Sequence, residues 1–168
     1  MSGVHLHLLV NHAPILGAFF ALALLVASFL FAPDVLRRTA LAVLVGVGLA
    51  GAMANYSGEP AEDAIRGFPG VRREVIHEHE EMGELSFYAA AAIGVLALGA
   101  LIRWRRAPVP RVAALGALAG AAVVSGMMAY TGLLGGQVRH TEVRPGATPA
   151  DAITVEPRRT PGPPPARP

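Results

Sequence analysis

Residues 13–32 read APILGAFFALALLVASFLFA, twenty consecutive residues without a charged side chain. A helix rises about 1.5 Å per residue, so a run of this length crosses the roughly 30 Å hydrocarbon core of a bilayer. Three further uncharged stretches follow, at 39–55, 85–102 and 112–134. Backbone groups in lipid must be satisfied within the spanning structure, and the alternating pattern of barrel strands is absent. The sequence therefore predicts an all-α fold, an integral membrane four-helix bundle.

The composition of the whole chain agrees with a membrane protein. Hydrophobic residues make up 53% of the 168 positions, charged residues only 15%, and the mean hydropathy is +0.47. Soluble proteins carry about 25% charged residues, so this chain has too few to cover a soluble fold. The net charge of +2 comes from arginine clusters beside apolar runs, without interleaved aromatic residues, and we expect no nucleic-acid partner.

Two short arginine-rich connections predict the orientation. Residues 33–38 (PDVLRR) and 103–111 (RWRRAPVPR) hold six arginines and one aspartate between them. The positive-inside rule places such turns in the cytoplasm. We therefore expect a multi-pass protein of the bacterial inner (cytoplasmic) membrane with both termini extracytoplasmic. The transmembrane domain is predicted over residues 1–143, and the Pro-rich remainder, 144–168, is predicted to be a disordered tail.

The two halves of the chain resemble each other. Each begins with a His-x-His pair, at 5–7 and 77–79, and continues with a span, a basic turn and a second span. Each then reaches a similar string, MANYSG at 53–58 and MAYTG at 128–132. This pattern predicts two duplicated helical hairpins in parallel repeat, related by an axis along the membrane normal. Such an axis brings the two His-x-His pairs toward each other across the bundle.

All six histidines are predicted to lie at one end of the bundle, the extracytoplasmic one. Histidine and carboxylate groups are ligands for zinc, copper and iron, and a neutral imidazole can also ligate haem iron. A glutamate one helical turn from a histidine can accept the free ring N–H of a ligating imidazole. The candidate metal ligands are His7, His12, His77, His79, His140, Glu80 and Glu142.

Ordinary structural roles explain some of these residues equally well. Asn11 followed by His12 and Pro14 is typical of a helix start, with Asn11 as the cap. The glutamate-rich run before the third span suits a solvated helix N-terminus, where negative charge is favourable. These alternatives leave open which of the histidines serve a cofactor.

The string GGQVRH at 135–140 follows the fourth span. Two glycines there allow a tight turn or a close backbone approach, and a turn would fold the chain back and bring His140 over the bundle mouth. Arg139 would then be placed to pair with a haem propionate, because arginine favours bidentate contact with carboxylates. A simple helix end followed by a tail is the alternative.

Four strings together, HLLVNHAP at 7–14, SGEPAE at 57–62, HEE at 79–81 and GGQVRHTE at 135–142, resemble a group of bacterial inner-membrane proteins. That group carries only a domain-of-unknown-function label. The resemblance covers residues 5–143 and implies a four-helix membrane unit, some relatives of which are joined to or encoded near cytochrome c-type domains. It implies these positions as the ones to examine: His7, His12, His79, His140, Glu59, Glu62, Glu80 and Glu142.

The leading hypothesis is a membrane-anchored protein that binds haem b, or a similar metal centre, and carries electrons. His7 and His79 are predicted as a symmetry-related ligand pair, with His12, His140 and Arg139 as further cofactor-binding residues. The expected partners are the lipid bilayer and a periplasmic redox protein or a larger respiratory-type membrane complex. We expect a carrier or subunit rather than a catalyst, since no nucleophile–base or paired-carboxylate motif stands out.

Two alternatives come from other functional classes. One is a copper- or zinc-handling protein, in which the methionines near the same end, Met53, Met127 and Met128, would be soft ligands for Cu(I). The other is a cofactor-free structural subunit of a larger membrane complex. A haem absorbs strongly in the visible range, whereas zinc and Cu(I) do not, so the absorption spectrum separates these hypotheses.

Overall fold

The computed structural model describes residues 3–148. Within that range the chain is helical and has no strand, which confirms the all-α prediction. Most of the predicted tail, residues 149–168, lies outside the described residues. The elements are α1 (Gly3–Val10), α2 (His12–Ala27), α3 (Pro33–Ile65), α4 (Arg73–Arg103), α5 (Arg111–Arg139) and a short 3-10 helix (Thr141–Val143).

Four helical segments are long and apolar enough to cross a membrane. They are α1 with α2, then α3, α4 and α5. Two of them continue well beyond the uncharged stretches: α3 runs past Asn55 to Ile65, and α4 begins at Arg73 instead of Leu85. Hydropathy detects only the lipid-facing part of a helix, whereas the extensions are rich in alanine and glutamate, which favour helix in water as well.

The first span is divided in two beside Pro14. Proline has no N–H to donate to the Val10 carbonyl and its ring crowds that carbonyl, so α1 ends at Val10. The prediction that Asn11 caps the start of a helix is wrong. Asn11 itself has helical backbone angles, with φ −63° and ψ −27°, and its side chain makes no capping hydrogen bond. The chain is already helical before Asn11, so the N–H groups that a cap would satisfy have partners.

The helices α2, α3, α4 and α5 form a closed ring in chain order, in which α5 packs back on α2. The helix α2 packs on α3 and α5, and α4 packs on the same two helices. The first helices of the two hairpins, α2 and α4, therefore lie on one diagonal and run in the same direction. This is the arrangement that a parallel repeat predicts. The short helix α1 packs on the end of α3, where Gly3 sits against Pro60.

Alanine makes up about half of the buried apolar residues, and α3 and α4 meet backbone to backbone. Gly94 is buried, and a Cβ atom added there would lie 3.2 Å from the Leu44 carbonyl oxygen and 3.5 Å from the Gly48 Cα. A Cβ added at Gly48 would lie 3.1 Å from the carbonyl oxygen of Ala90. Small residues allow such close approach between helices in membranes, where packing replaces the hydrophobic driving force.

The end of the bundle opposite to α1, which we call the arginine face, consists of residues 33–38 and 103–111. There the connection before α3 is hydrogen-bonded to the connection between α4 and α5. Asp34 Oδ1 accepts the Val109 N–H at 2.8 Å, and its Oδ2 accepts Arg38 Nε at 2.8 Å. Arg38 also donates to the carbonyls of Trp104 and Ala107. Asp34 and Arg38 thus join the two hairpins at this end.

We expect Gly94→Val to destabilise the bundle by about 1–3 kcal/mol, because the added side chain meets the α3 backbone rather than a movable side chain. Gly99→Val is the matched control, since a Cβ at Gly99 has no neighbour within 4 Å. Thermal unfolding in mild detergent, followed by circular dichroism, measures the difference. Equal midpoints for the two variants would contradict close α3–α4 packing.

We expect Asp34→Ala to lower the unfolding midpoint, because it removes both the acceptor for the Val109 N–H and the ion pair with Arg38. Asp63→Ala is the control, since Asp63 is exposed and has only an ion pair with Arg66 at 3.4 Å. The same unfolding measurement checks this. A midpoint for Asp34→Ala as high as that of the control would show that the contacts between the two connections contribute nothing to stability.

Candidate functional site

The rings of His7 and His79 meet, as the internal repeat predicts. They lie at the end of the bundle opposite to the arginine face, which we call the histidine end. His7 lies on α1 and His79 near the start of α4. Their ring centroids are 6.5 Å apart and the two ring planes are nearly perpendicular, at 84°. Both side chains are partly buried. Two histidines 72 positions apart in sequence (79 minus 7) are therefore brought to one place by the packing of the two hairpins.

Each of these histidines binds a backbone carbonyl within its own hairpin through Nδ1. His7 Nδ1 lies 3.1 Å from the carbonyl oxygen of Ala54 and 3.1 Å from Ser57 Oγ, both on α3. His79 Nδ1 lies 3.1 Å from the carbonyl oxygen of Thr131 on α5. A carbonyl oxygen can only accept, so Nδ1 carries the proton in both neutral rings. The Nε2 atom of each ring then keeps its lone pair available for a ligand.

Ser57 and Thr131 hold these acceptors in place. The Ser57 hydroxyl is buried and donates to the Ala54 carbonyl at 3.0 Å, which leaves its oxygen to accept from His7. Thr131 Oγ1 lies 2.8 Å from the buried Ser86 Oγ on α4 and within hydrogen-bond distance of the Met127 carbonyl. Thr131 thereby links α5 to α4 beside His79. No role was predicted for either residue, although both stand in the repeated strings, Tyr-Ser-Gly at 56–58 and Tyr-Thr-Gly at 130–132.

Gly135 makes room for the His79 ring. A Cβ added at Gly135 would lie 2.9 Å from His79 Cε1, closer than real Cβ contacts. The predicted tight turn at Gly135 and Gly136 is wrong, because both glycines lie inside α5, which continues to Arg139. The close approach that the glycines also predicted is found at Gly135, which packs against the His79 ring. Since α5 continues, His140 is not folded back by a turn at the glycines.

The remaining predicted histidines do not join the pair. His12 is exposed on α2. His77 is exposed and its Nε2 lies 3.2 Å from Glu81 Oε1, one helical turn away. His140 Nδ1 lies 2.9 Å from Glu142 Oε1, again at the surface. Throughout residues 3–148, no three or more histidine, aspartate or glutamate side chains converge in a way that could hold a metal ion.

Arg139 and Glu142 lie near the end of α5. The Arg139 guanidinium is 6.0 Å from the ring centroid of Phe68, in the connection between α3 and α4. The pKa of Glu142 is lowered from its ordinary value, first by a hydrogen bond from its own backbone N–H and then by His140. Arg144 anchors the following segment by donating to the carbonyls of Gln137 and Gly70, each at 2.8 Å.

Glu80 takes part in a contact between α3 and α4. Its carboxyl group interacts with the carboxyl group of Glu62 on α3. Glu62 Oε1 also accepts Arg66 Nη2 at 2.9 Å. Glu80 is therefore a helix-linking residue next in sequence to His79.

The chain has no significant match among protein-family models, curated proteins or solved structures. The resemblance to bacterial inner-membrane proteins stays a prediction.

The geometry predicts that His7 and His79 are neutral in the protein without cofactor and carry the proton on Nδ1. Nitrogen-15 NMR of histidine-labelled protein in detergent, at mildly alkaline pH, distinguishes the two ring tautomers. His7→Gln and His79→Gln assign the signals. A proton on Nε2 of His7 or His79 would contradict the carbonyl hydrogen bonds.

Proposed function

We propose that this chain is a membrane-anchored electron carrier that holds a haem b between His7 and His79. The observation that carries the proposal is the meeting of these two rings, each oriented by a carbonyl hydrogen bond at Nδ1. A histidine that ligates a metal through one ring nitrogen almost always donates from the other, which fixes the tautomer and raises the basicity of the ligand. In both His7 and His79 the Nδ1 atom already faces a carbonyl acceptor, which leaves Nε2 to ligate a metal.

The separation of the rings supports a single iron between them. Two imidazoles that ligate one metal ion through nitrogen, at about 2 Å each, have centroids roughly 6 Å apart. The observed separation is 6.5 Å. This separation is compatible with both rings reaching one iron through nitrogen.

The number of converging ligands favours haem over zinc. Structural zinc sites have four protein ligands and catalytic sites usually three, whereas only two histidines meet here and no larger group forms within residues 3–148. A haem supplies its own four equatorial nitrogens and needs only two axial ligands from the protein. Two of the methionines considered as Cu(I) ligands have different surroundings. Met53 is 55% exposed, whereas Met128 is packed in the core.

The position of the pair suggests where electrons would be exchanged. When bound, a haem with two imidazole ligands takes up and releases single electrons. The arginine connections lie at the other end of the bundle, so the positive-inside rule puts the histidine end on the periplasmic side of a bacterial inner membrane. Exposed acidic residues surround this end, among them Glu59, Asp63, Glu78 and Glu81. A periplasmic redox protein with a positive surface, or a subunit of a respiratory-type complex, is the partner that such a surface would favour.

The proposal predicts that the purified protein has a strong Soret band that shifts on reduction with dithionite. We expect His7→Ala and His79→Ala each to abolish haem binding, because each removes one axial ligand. His77→Ala and His140→Ala are matched controls and should keep the spectrum, since both side chains are exposed and paired with glutamates. Gly135→Val keeps every histidine but crowds His79, and should weaken the band.

Metal analysis on the same samples separates the alternatives. Colourless protein with stoichiometric zinc or copper, lost in His7→Ala, would replace the haem proposal with a metal-handling function. Colourless protein without metal, after expression with added haem precursor and after incubation with haem, would leave the structural-subunit hypothesis. A spectrum unchanged in both His7→Ala and His79→Ala would assign the haem to other residues and contradict the site.

A further inference from the structure

The arginine face has a strong excess of positive charge. Six arginines and one aspartate lie in residues 33–38 and 103–111, which leaves a net charge of +5. The single carboxylate is fully engaged, because Asp34 accepts Arg38 through one oxygen and the Val109 N–H through the other. No acidic side chain of these two connections is left to neutralise the other arginines.

Four of the six arginines fall into two groups by their contacts. Arg37 and Arg38 are half-buried and donate to backbone carbonyls of the second connection, including Val109 and Trp104. Arg105 and Arg106 are exposed, and within residues 3–148 their guanidinium groups make no hydrogen bond or ion pair with the protein. These two arginines are therefore available to an external anion, whereas the inner pair holds the connections together.

Exposed apolar side chains lie directly beside this charge. Leu30 is 72% exposed and Phe31 67% exposed just before the first connection, and Ile102 is 63% exposed at the end of α4. These residues stand where the apolar helix surface passes into the arginine connections. A ligand that contacts both regions has an anionic group joined to an apolar chain, as an anionic phospholipid does.

We propose that Arg105 and Arg106 form a binding site for the headgroup of an anionic phospholipid, whose acyl chains lie along the apolar surface near Ile102. Arginine suits a phosphate group because its planar guanidinium presents two parallel N–H donors. A basic residue close to an anionic membrane surface strengthens association by roughly fivefold. The site is at the opposite end of the bundle from His7 and His79 and does not depend on haem binding.

The only tryptophan of the chain reports on this site. Trp104 precedes Arg105, is half-buried, and has the Arg103 guanidinium 5.8 Å from its ring centroid. Lipids with brominated acyl chains quench tryptophan fluorescence on contact. We would reconstitute the full chain in phosphatidylcholine vesicles containing either brominated phosphatidylglycerol or brominated phosphatidylcholine at equal mole fraction. We expect stronger quenching by the phosphatidylglycerol.

The variant R105Q/R106Q should lower this preference several-fold and bring the two lipids close to equal quenching. The control R72Q/R73Q removes the same charge from exposed positions at the opposite end and should keep the preference. Equal quenching by both lipids in the unmodified protein would overturn the proposal, as would an unchanged preference in R105Q/R106Q. Loss of the preference on adding millimolar inorganic phosphate would identify a general anion site instead of a lipid site.

Discussion

At the crossing of α3 and α4 the two backbones touch, with a Cβ at Gly94 reaching to 3.2 Å of the Leu44 carbonyl oxygen. In lipid, apolar side chains gain little from leaving one apolar surrounding for another, so helices hold together through close van der Waals contact. This contact also sets the histidine pair. His7 is bonded to α3 and His79 lies on α4, so a wider crossing would change the distance between their rings.

The histidine pair uses backbone acceptors that the helices already contain. A carbonyl oxygen has two lone pairs, and an ordinary helical hydrogen bond uses one of them. His79 donates to the second lone pair of the Thr131 carbonyl on α5, whereas His7 shares the Ala54 carbonyl on α3 with the Ser57 hydroxyl. The protein therefore orients two imidazoles without a buried carboxylate, whose desolvation near the membrane would cost several kcal/mol. The hydroxyl groups of Ser57 and Thr131 make further hydrogen bonds beside the two rings, to the Ala54 carbonyl and to Ser86.

The two ends of the bundle have different chemistry, and each hairpin contributes to both. At the histidine end the helices extend beyond the apolar spans and present imidazoles among glutamates. At the arginine face the connections are short, and Asp34 with Arg38 joins the hairpins. The helices α2 and α4 run in the same direction, so corresponding parts of the two hairpins lie at the same end. This placement accounts for the pairing of His7 with His79 and also for the proximity of the two arginine connections.

The sequence by itself determined the four spans, the all-α class and the separation of histidines from arginine turns, because uncharged runs and charge positions need no knowledge of packing. Its internal repeat also predicted that the His-x-His pairs face each other. Only the tertiary structure decided that, of the predicted site histidines, His7 and His79 meet, while His12, His77 and His140 stay at the surface. The roles of Ser57, Thr131 and Gly135 also came from the structure, because they depend on which carbonyl, hydroxyl or open space lies opposite a ring, and hydropathy and spacing do not specify contacts between helices.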